Sequence, residues 1–68
     1  MRYNIGEWHE LKKSVGRMFN DHDLVKIIDR KKKGRRTNVI IVDEQGNESD
    51  FIDANTHLYR RIIKKSYN

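Results

Sequence analysis

The N-terminal part of the chain, NIGEWHELKKSVGRMFND, has apolar residues at helical spacing. Four of them recur at intervals of three and four residues, the pattern of an amphipathic helix: Trp8, Leu11, Val15 and Met18. Asn4 precedes Glu7 by three residues, as an N-cap residue precedes its reciprocal acidic partner. Because Gly16 weakens a helix, the pattern predicts an N-terminal helix that ends near Ser14, followed by the extended segment VGRMF.

The middle of the chain is typical of strands joined by tight turns. The segments LVKII (24–28) and VIIV (39–42) are rich in β-branched residues, and SDFIDA (49–54) can return as a third strand. Between the last two, DEQGNE offers Gly46 and Asn47, which both tolerate positive φ. These features predict a three-stranded antiparallel β-meander. Since VIIV is apolar on both faces, we expect this strand to be covered on both sides or rolled into a small barrel.

The C-terminal segment, NTHLYRRIIKKSYN, separates apolar from basic residues on a helical wheel. Asn55 or Thr56 can cap such a helix, with one face apolar and the other basic: Leu58, Tyr59, Ile62 and Ile63 against Arg60, Arg61, Lys64 and Lys65. The alternative is a short turn followed by a closing strand, LYRRII. The pattern favours a short C-terminal helix, which makes the predicted fold α+β.

Length and composition limit the class of protein. The 68 residues allow one small domain, residues 1–68, and without cysteine neither a disulfide nor a thiolate zinc site can support its core. The N-terminus lacks the apolar run of a signal peptide, and the longest apolar run, VIIV, is too short to cross a membrane. We therefore predict a cytoplasmic protein without membrane contact.

Positive charge is concentrated in two segments of the chain. Fifteen Lys and Arg against ten Asp and Glu give a net charge of +5, which favours polyanionic partners. Six cations surround Gly34 at the tip of the first predicted hairpin, and four follow near the C-terminus: Arg30, Lys31, Lys32, Lys33, Arg35 and Arg36, then Arg60, Arg61, Lys64 and Lys65. We expect them to contact phosphates of DNA or RNA. The alternative is a solvated tip whose like charges discourage aggregation at strand edges.

The acidic residues follow the second predicted strand, and they support a different partner. Their spacing in DEQGNESDFID does not match an EF-hand loop, so we predict no metal site. Glu48, Asp50 and Asp53 could instead contact a basic partner protein. Under this alternative the chain is a regulator or inhibitor of a host protein, bound through the acidic strand or a sheet edge. An exposed edge would also allow a homodimer.

The residue types that carry catalysis are dispersed along the chain. His9, His22 and His57 lie in three different segments, no serine has a nucleophile-elbow context, and the four glycines form no phosphate-binding pattern. We therefore predict a non-catalytic protein with no cofactor. Among the aromatic residues, Trp8 and Phe51 are expected in the core, and no stacking platform is predicted.

The order VGRMF…LVKIID…TNVIIVDEQGNESDFI, from Val15 to Ile52, resembles small SH3-like β-domains. These include modules attached to phage-type HNH endonucleases and KOW-like nucleic-acid-binding modules. The shared elements are a glycine before the first hydrophobic pair, a strand like LVKIID, and a strand like NVIIVDEQG that ends at a turn glycine. The resemblance implies a small SH3-like barrel, nucleic-acid contact, and, for small phage proteins of this type, binding to a host protein. The chain departs from it in the predicted N-terminal helix and the basic first loop.

Overall fold

The computed structural model describes residues 3–64. Along the chain the elements are β1 (Trp8–Leu11), β2 (Leu24–Lys33), β3 (Arg36–Asp43), β4 (Ile52–Asp53), α1 (Ala54–His57) and β5 (Leu58–Ile63). The strands form one sheet in the order β4-β3-β2-β1-β5, in which every pair of neighbours is antiparallel. Within residues 3–64, no helix has the length and apolarity that a membrane span requires.

The predicted α+β architecture is wrong. The segments expected as strands lie in β2, β3 and β4, but the sheet continues through β1 and β5 on the other side of β2. Residues 3–64 form a five-stranded antiparallel sheet with one helical turn, and not a three-stranded meander between two helices. The chain is therefore a small β-rich domain.

The segment predicted as the N-terminal helix is a turn followed by β1. The expected contact between Asn4 and Glu7 does form, because Glu7 Oε1 accepts from the Asn4 backbone N–H at 2.9 Å and Oε2 accepts from Asn4 Nδ2 at 3.1 Å. Gly6, however, has φ of +94°, which an α-helix does not contain. The hydrogen bonds therefore close a turn, and in β1 the buried side chains are alternate ones, His9 and Leu11.

The predicted C-terminal helix is also wrong, and the alternative strand LYRRII is β5. The helix α1 lasts only one turn, with Asp53 as its N-cap, and the chain is extended again at Leu58, with φ of −117° and ψ of 142°. From there β5 pairs with β1, with Leu58 opposite Leu11 and Ile63 opposite Trp8. Burial of Leu58 between these elements outweighs the helical spacing of the segment.

The core lies on one face of the sheet. Among residues 3–64 it contains nine buried apolar side chains: Tyr3, Leu11, Phe19, Val25, Ile27, Val39, Ile41, Ala54 and Leu58. Val15 and Ile52 pack against it from the loop after β1 and from β4. We call this the core face and the opposite surface of the sheet the outer face.

Candidate nucleic-acid interface

The basic segment forms the end of a two-stranded hairpin, and most of it is not a loop. Arg30 and the three lysines belong to β2, and Arg36 begins β3. Lys33 pairs with Arg36, which leaves only Gly34 and Arg35 in the turn. Gly34 has φ of +61°, as expected for a two-residue hairpin turn with glycine first. The strand ladder therefore holds these cations in place up to the tip.

A β-bulge decides which cations share a face. The register of β2 on β3 shifts between Ile27, opposite Ile41, and Asp29, opposite Ile40, so that Ile28 is an extra residue. Beyond the bulge, Arg30 lies opposite the buried Val39 and therefore on the core face. Strict alternation from Ile27 would instead have placed Lys31 and Lys33 on that face.

The cations are consequently distributed over both faces of the hairpin. On the outer face lie Lys31, opposite Asn38, and Lys33, opposite Arg36. On the core face lie Arg30 and Lys32, while Arg35 occupies the turn. Within residues 3–64, no carboxylate forms an ion pair with any of these side chains. Five of them are exposed to solvent: Lys31, Lys32, Lys33, Arg35 and Arg36.

This part of the hairpin projects beyond its neighbours in the sheet. The pairs between β1 and β2 end at Lys26, and β4 pairs with β3 at Val39 and Asn38. Residues 31–33 and 36–37 pair only with each other in the described part of the chain. We call residues 29–38 the cationic arm. The five residues of β2 in the arm extend about 16 Å at 3.3 Å per residue.

Arg30 differs from the other cations of the arm. It is half-buried, and its Nε atom is buried without a hydrogen-bond partner among the described residues. Its aliphatic stem lies on the core face, opposite Val39. Arg30 thus extends the cover of the core, whereas its five neighbours are open to a ligand.

Phe51 lies on the outer face beside the arm, contrary to the expectation that it would be in the core. Ile52 pairs with Val39 and packs on the core, so the preceding residue points the other way. The Phe51 side chain is 42% exposed, and the ammonium nitrogen of Lys31 lies 5.9 Å from its ring centroid. The sequence does contain a signal for this exposure. Phe51 and Ile52 are adjacent, and only one of two adjacent strand residues can face the core.

The described members of the second basic group, Arg60, Arg61 and Lys64, do not join the arm. Arg60 and Arg61 are exposed residues of β5, Lys64 follows the strand, and Lys65 lies outside the described residues. Ile63, at the end of β5, pairs with Trp8, which in turn pairs with Lys26 of β2. Lys26 is about 16 Å along β2 from Lys31. Arg60 and Arg61 precede Ile63 and lie further from the arm still.

Arg60 has a contact of its own on the core side. Burial raises the pKa of the Tyr3 hydroxyl above its ordinary value, and the charge of Arg60 and its hydrogen bond to that hydroxyl oppose the rise. Arg60 thus lies on the core side of the sheet, beside Tyr3.

The acidic residues proposed for protein binding have different environments. Glu48 and Asp50 are exposed in the segment between β3 and β4, where Glu48 forms an isolated bridge with Val42. Asp53 is half-buried, and its Oδ1 caps α1 by accepting from the Asn55 backbone N–H at 3.0 Å. The Asp53 carboxylate thus has a structural role as the cap of α1.

The histidines remain separate in the folded chain. His9 is buried, whereas His22 is exposed and its Nδ1 lies 2.6 Å from Glu10 Oε2. His57 Nδ1 lies 3.2 Å from the Lys13 carbonyl oxygen. In the described part of the chain, no three His, Cys, Asp or Glu side chains are grouped so that they could hold a metal ion.

Comparison of the chain with protein-family models, curated proteins and solved structures gives no match.

Proposed function

We propose that the chain is a small non-catalytic protein that binds nucleic acid through the cationic arm. The observation that carries the proposal is the group of five exposed cations on a projecting hairpin, with no carboxylate paired to them among residues 3–64. Like charges held this close repel one another, and a polyanion relieves that repulsion. Each phosphate contact also releases condensed counterions, which favours binding.

The spacing of the cations suits a phosphate backbone. Lys31 and Lys33 are about 7 Å apart along one face of β2, and Arg36 is about 5 Å across the ladder from Lys33. Because the ladder fixes these positions, little conformational entropy of the backbone is lost when the arm binds. Arg60, Arg61 and Lys64 would add long-range attraction rather than contacts on the same surface.

The resemblance to SH3-like and KOW-like β-domains belongs to this proposal as well, and it rests on the sequence segments quoted above. It supports the same class of partner. A cytoplasmic location is a further part of the proposal.

The test is the salt dependence of binding to duplex DNA and to single-stranded RNA, measured by fluorescence anisotropy. We expect the wild-type affinity to fall steeply with salt, with a log–log slope of about 0.9 for each phosphate contact on duplex DNA. Changing Lys31, Lys33 and Arg36 together to Gln should reduce both the affinity and the slope.

The matched control changes three exposed cations outside the arm, Lys12, Lys13 and Arg17, to Gln. Both triple variants lower the net charge by the same amount. If the two lose affinity equally, binding follows net charge, and the arm is not the site. Absence of binding by the wild-type chain at low salt contradicts the proposed function altogether.

The alternative function, docking on a host protein, is favoured by a different observation. β5 is an edge strand of six residues that pairs on one side with β1, so its other edge could accept a strand from a partner or from a second copy. Glu48, Asp50 and Asp53 lie at or before β4, at the opposite edge of the sheet, and would instead hold a basic partner docked on that edge. We expect a triple variant to capture the partner more weakly: Glu48→Ala, Asp50→Ala and Asp53→Asn, the last chosen so that α1 keeps a cap. Unchanged capture would show that the acidic residues do not contact the partner.

A further inference from the structure

Phe51 is an exposed aromatic ring in a cationic setting. Its neighbour in the chain, Ile52, contributes to the core, but the ring itself packs on the outer face and remains 42% exposed. It adjoins the arm, because β4 pairs with β3 at Asn38 and Val39, and Asn38 is the partner of Lys31. The 5.9 Å distance between the Lys31 ammonium and the ring centroid shows that the two side chains meet.

The β-bulge at Ile28 creates this combination. It places Lys31 and Lys33 on the outer face, where a regular strand would have placed Arg30 and Lys32. The same face carries Arg36 at the start of β3. One aromatic ring is thereby followed, toward the tip of the arm, by three cations.

Two carboxylates share the outer face of this region, and both are engaged with the backbone. Asp29 Oδ1 accepts from the Arg30 N–H at 2.7 Å, and Asp53 Oδ1 accepts from the Asn55 N–H at 3.0 Å. Neither forms an ion pair with Lys31, Lys33 or Arg36 in the described part of the chain. In the rows of the arm, the three cations Lys31, Lys33 and Arg36 therefore outnumber these two acids, and they remain available to phosphates.

We propose that this face binds an unpaired strand of nucleic acid, with one base stacked on Phe51 and the adjoining phosphates on Lys31, Lys33 and Arg36. The inference rests on the proposed function and names its substrate class. A flat ring accepts any base face, and the base takes the place of the Lys31 ammonium, which turns to a phosphate. In a duplex the base faces are covered by stacking on their neighbours, so Phe51 can distinguish a single strand from a duplex. An apolar protein surface fits less well, since the residues beside the ring on the arm are charged.

The test compares three probes by fluorescence anisotropy: an oligothymidylate and an oligouridylate of about 12 nucleotides, and a DNA duplex of about that length. The variants are Phe51→Leu and Phe51→Trp. The control is Tyr59→Leu, which removes an equally exposed ring, 41% against 42%, beside arginines on β5. Thermal unfolding by circular dichroism checks that each variant keeps the fold.

We expect Phe51→Leu to weaken binding of both single strands about tenfold and to leave duplex binding unchanged. Phe51→Trp should retain the single-strand affinity, and Tyr59→Leu should not change it. Equal losses on single strands and duplex, equal losses in Phe51→Leu and Tyr59→Leu, or no loss in Phe51→Leu would each overturn the inference while leaving the arm as the binding site. A wild-type chain that binds none of the probes would instead refute the proposed function.

Discussion

His9 and Glu7 form a hydrogen-bonded pair at the junction of β1 and β5. His9 Nε2 lies 3.2 Å from Glu7 Oε1, and its Nδ1 lies 2.8 Å from the carbonyl oxygen of Tyr59 in β5. Since His9 is buried, these two contacts link the segment that enters β1 to the edge strand β5.

Stability should decrease in acid because of Glu7. Burial acts to raise the pKa of its carboxyl, but hydrogen bonds from Asn4 and His9 outweigh burial and hold the pKa below the ordinary value of 4.5. The ionised group therefore contributes stability that is fully present above pH 4.5 and is lost as the pH falls through the folded-state value. Urea unfolding between neutral and acidic pH should show this loss.

The variant Glu7→Gln should show a shallower decrease in the free energy of unfolding over that pH range. The control, Glu48→Gln, removes an exposed carboxylate and should follow the wild-type curve. Identical curves for wild type and Glu7→Gln would mean that the ionised carboxylate does not contribute to the free energy of unfolding.

The substitution Gly6→Ala should have opposite effects on the free energy of unfolding in the observed turn and in the predicted helix. In a helix, Gly6→Ala would stabilise the protein by about 1 kcal/mol. In the observed turn, with φ of +94°, the same change should destabilise it by about 1 kcal/mol. A Cβ at Gly6 would meet nothing within 4 Å, so the effect is conformational and not steric. Urea unfolding at neutral pH measures it, and a stabilised variant would contradict the turn.

The local sequence pattern correctly predicted a contact between neighbouring residues, but it did not predict the architecture around that contact. Asn4 and Glu7 interact as their spacing indicates, but this interaction stabilises a turn before a strand as well as the start of a helix. Which one forms depends on pairing with β2 and β5, and those partners are distant in the chain. At both ends of the chain, pairing with distant strands overrides the helical spacing of the apolar residues.

For the candidate site, the sequence located the cations but not their faces. Six basic residues around Gly34 indicate a hairpin tip, because the glycine turn is a local property. The faces depend on the bulge at Ile28, for which the run LVKIIDRKKK carries no distinct signal. The exposure of Phe51 was missed for a related reason: either member of the pair Phe51 and Ile52 could have faced the core.

The exposed pair of His22 and Glu10 should be visible in a histidine titration. The 2.6 Å hydrogen bond that His22 Nδ1 donates to Glu10 Oε2 raises the pKa of His22 above 6.5, and nearby Asp21 adds to the rise. The protonated imidazole thus contributes stability that is fully present below pH 6.5 and is lost as the pH rises through the folded-state pKa. NMR titration of the His22 ring should give a midpoint above 6.5 in the wild type and a lower midpoint in Glu10→Gln. Equal midpoints would show that the pair does not persist in solution.

Arg30 and Lys31 are adjacent cations that should differ in what they contribute. Arg30→Met keeps an apolar stem on the core face and removes the buried, unpartnered Nε, so it should stabilise the fold by about 1 kcal/mol. Lys31→Met makes the matched change in charge on the outer face and should leave stability nearly unchanged. For nucleic-acid binding we expect the opposite contrast between the two variants. Lys31→Met should lower the log–log salt slope of binding by about 1, and Arg30→Met should leave it unchanged. Measuring both variants by urea unfolding and by anisotropy tests the assignment of faces, because an equal loss of slope in the two would place Arg30 on the phosphates as well.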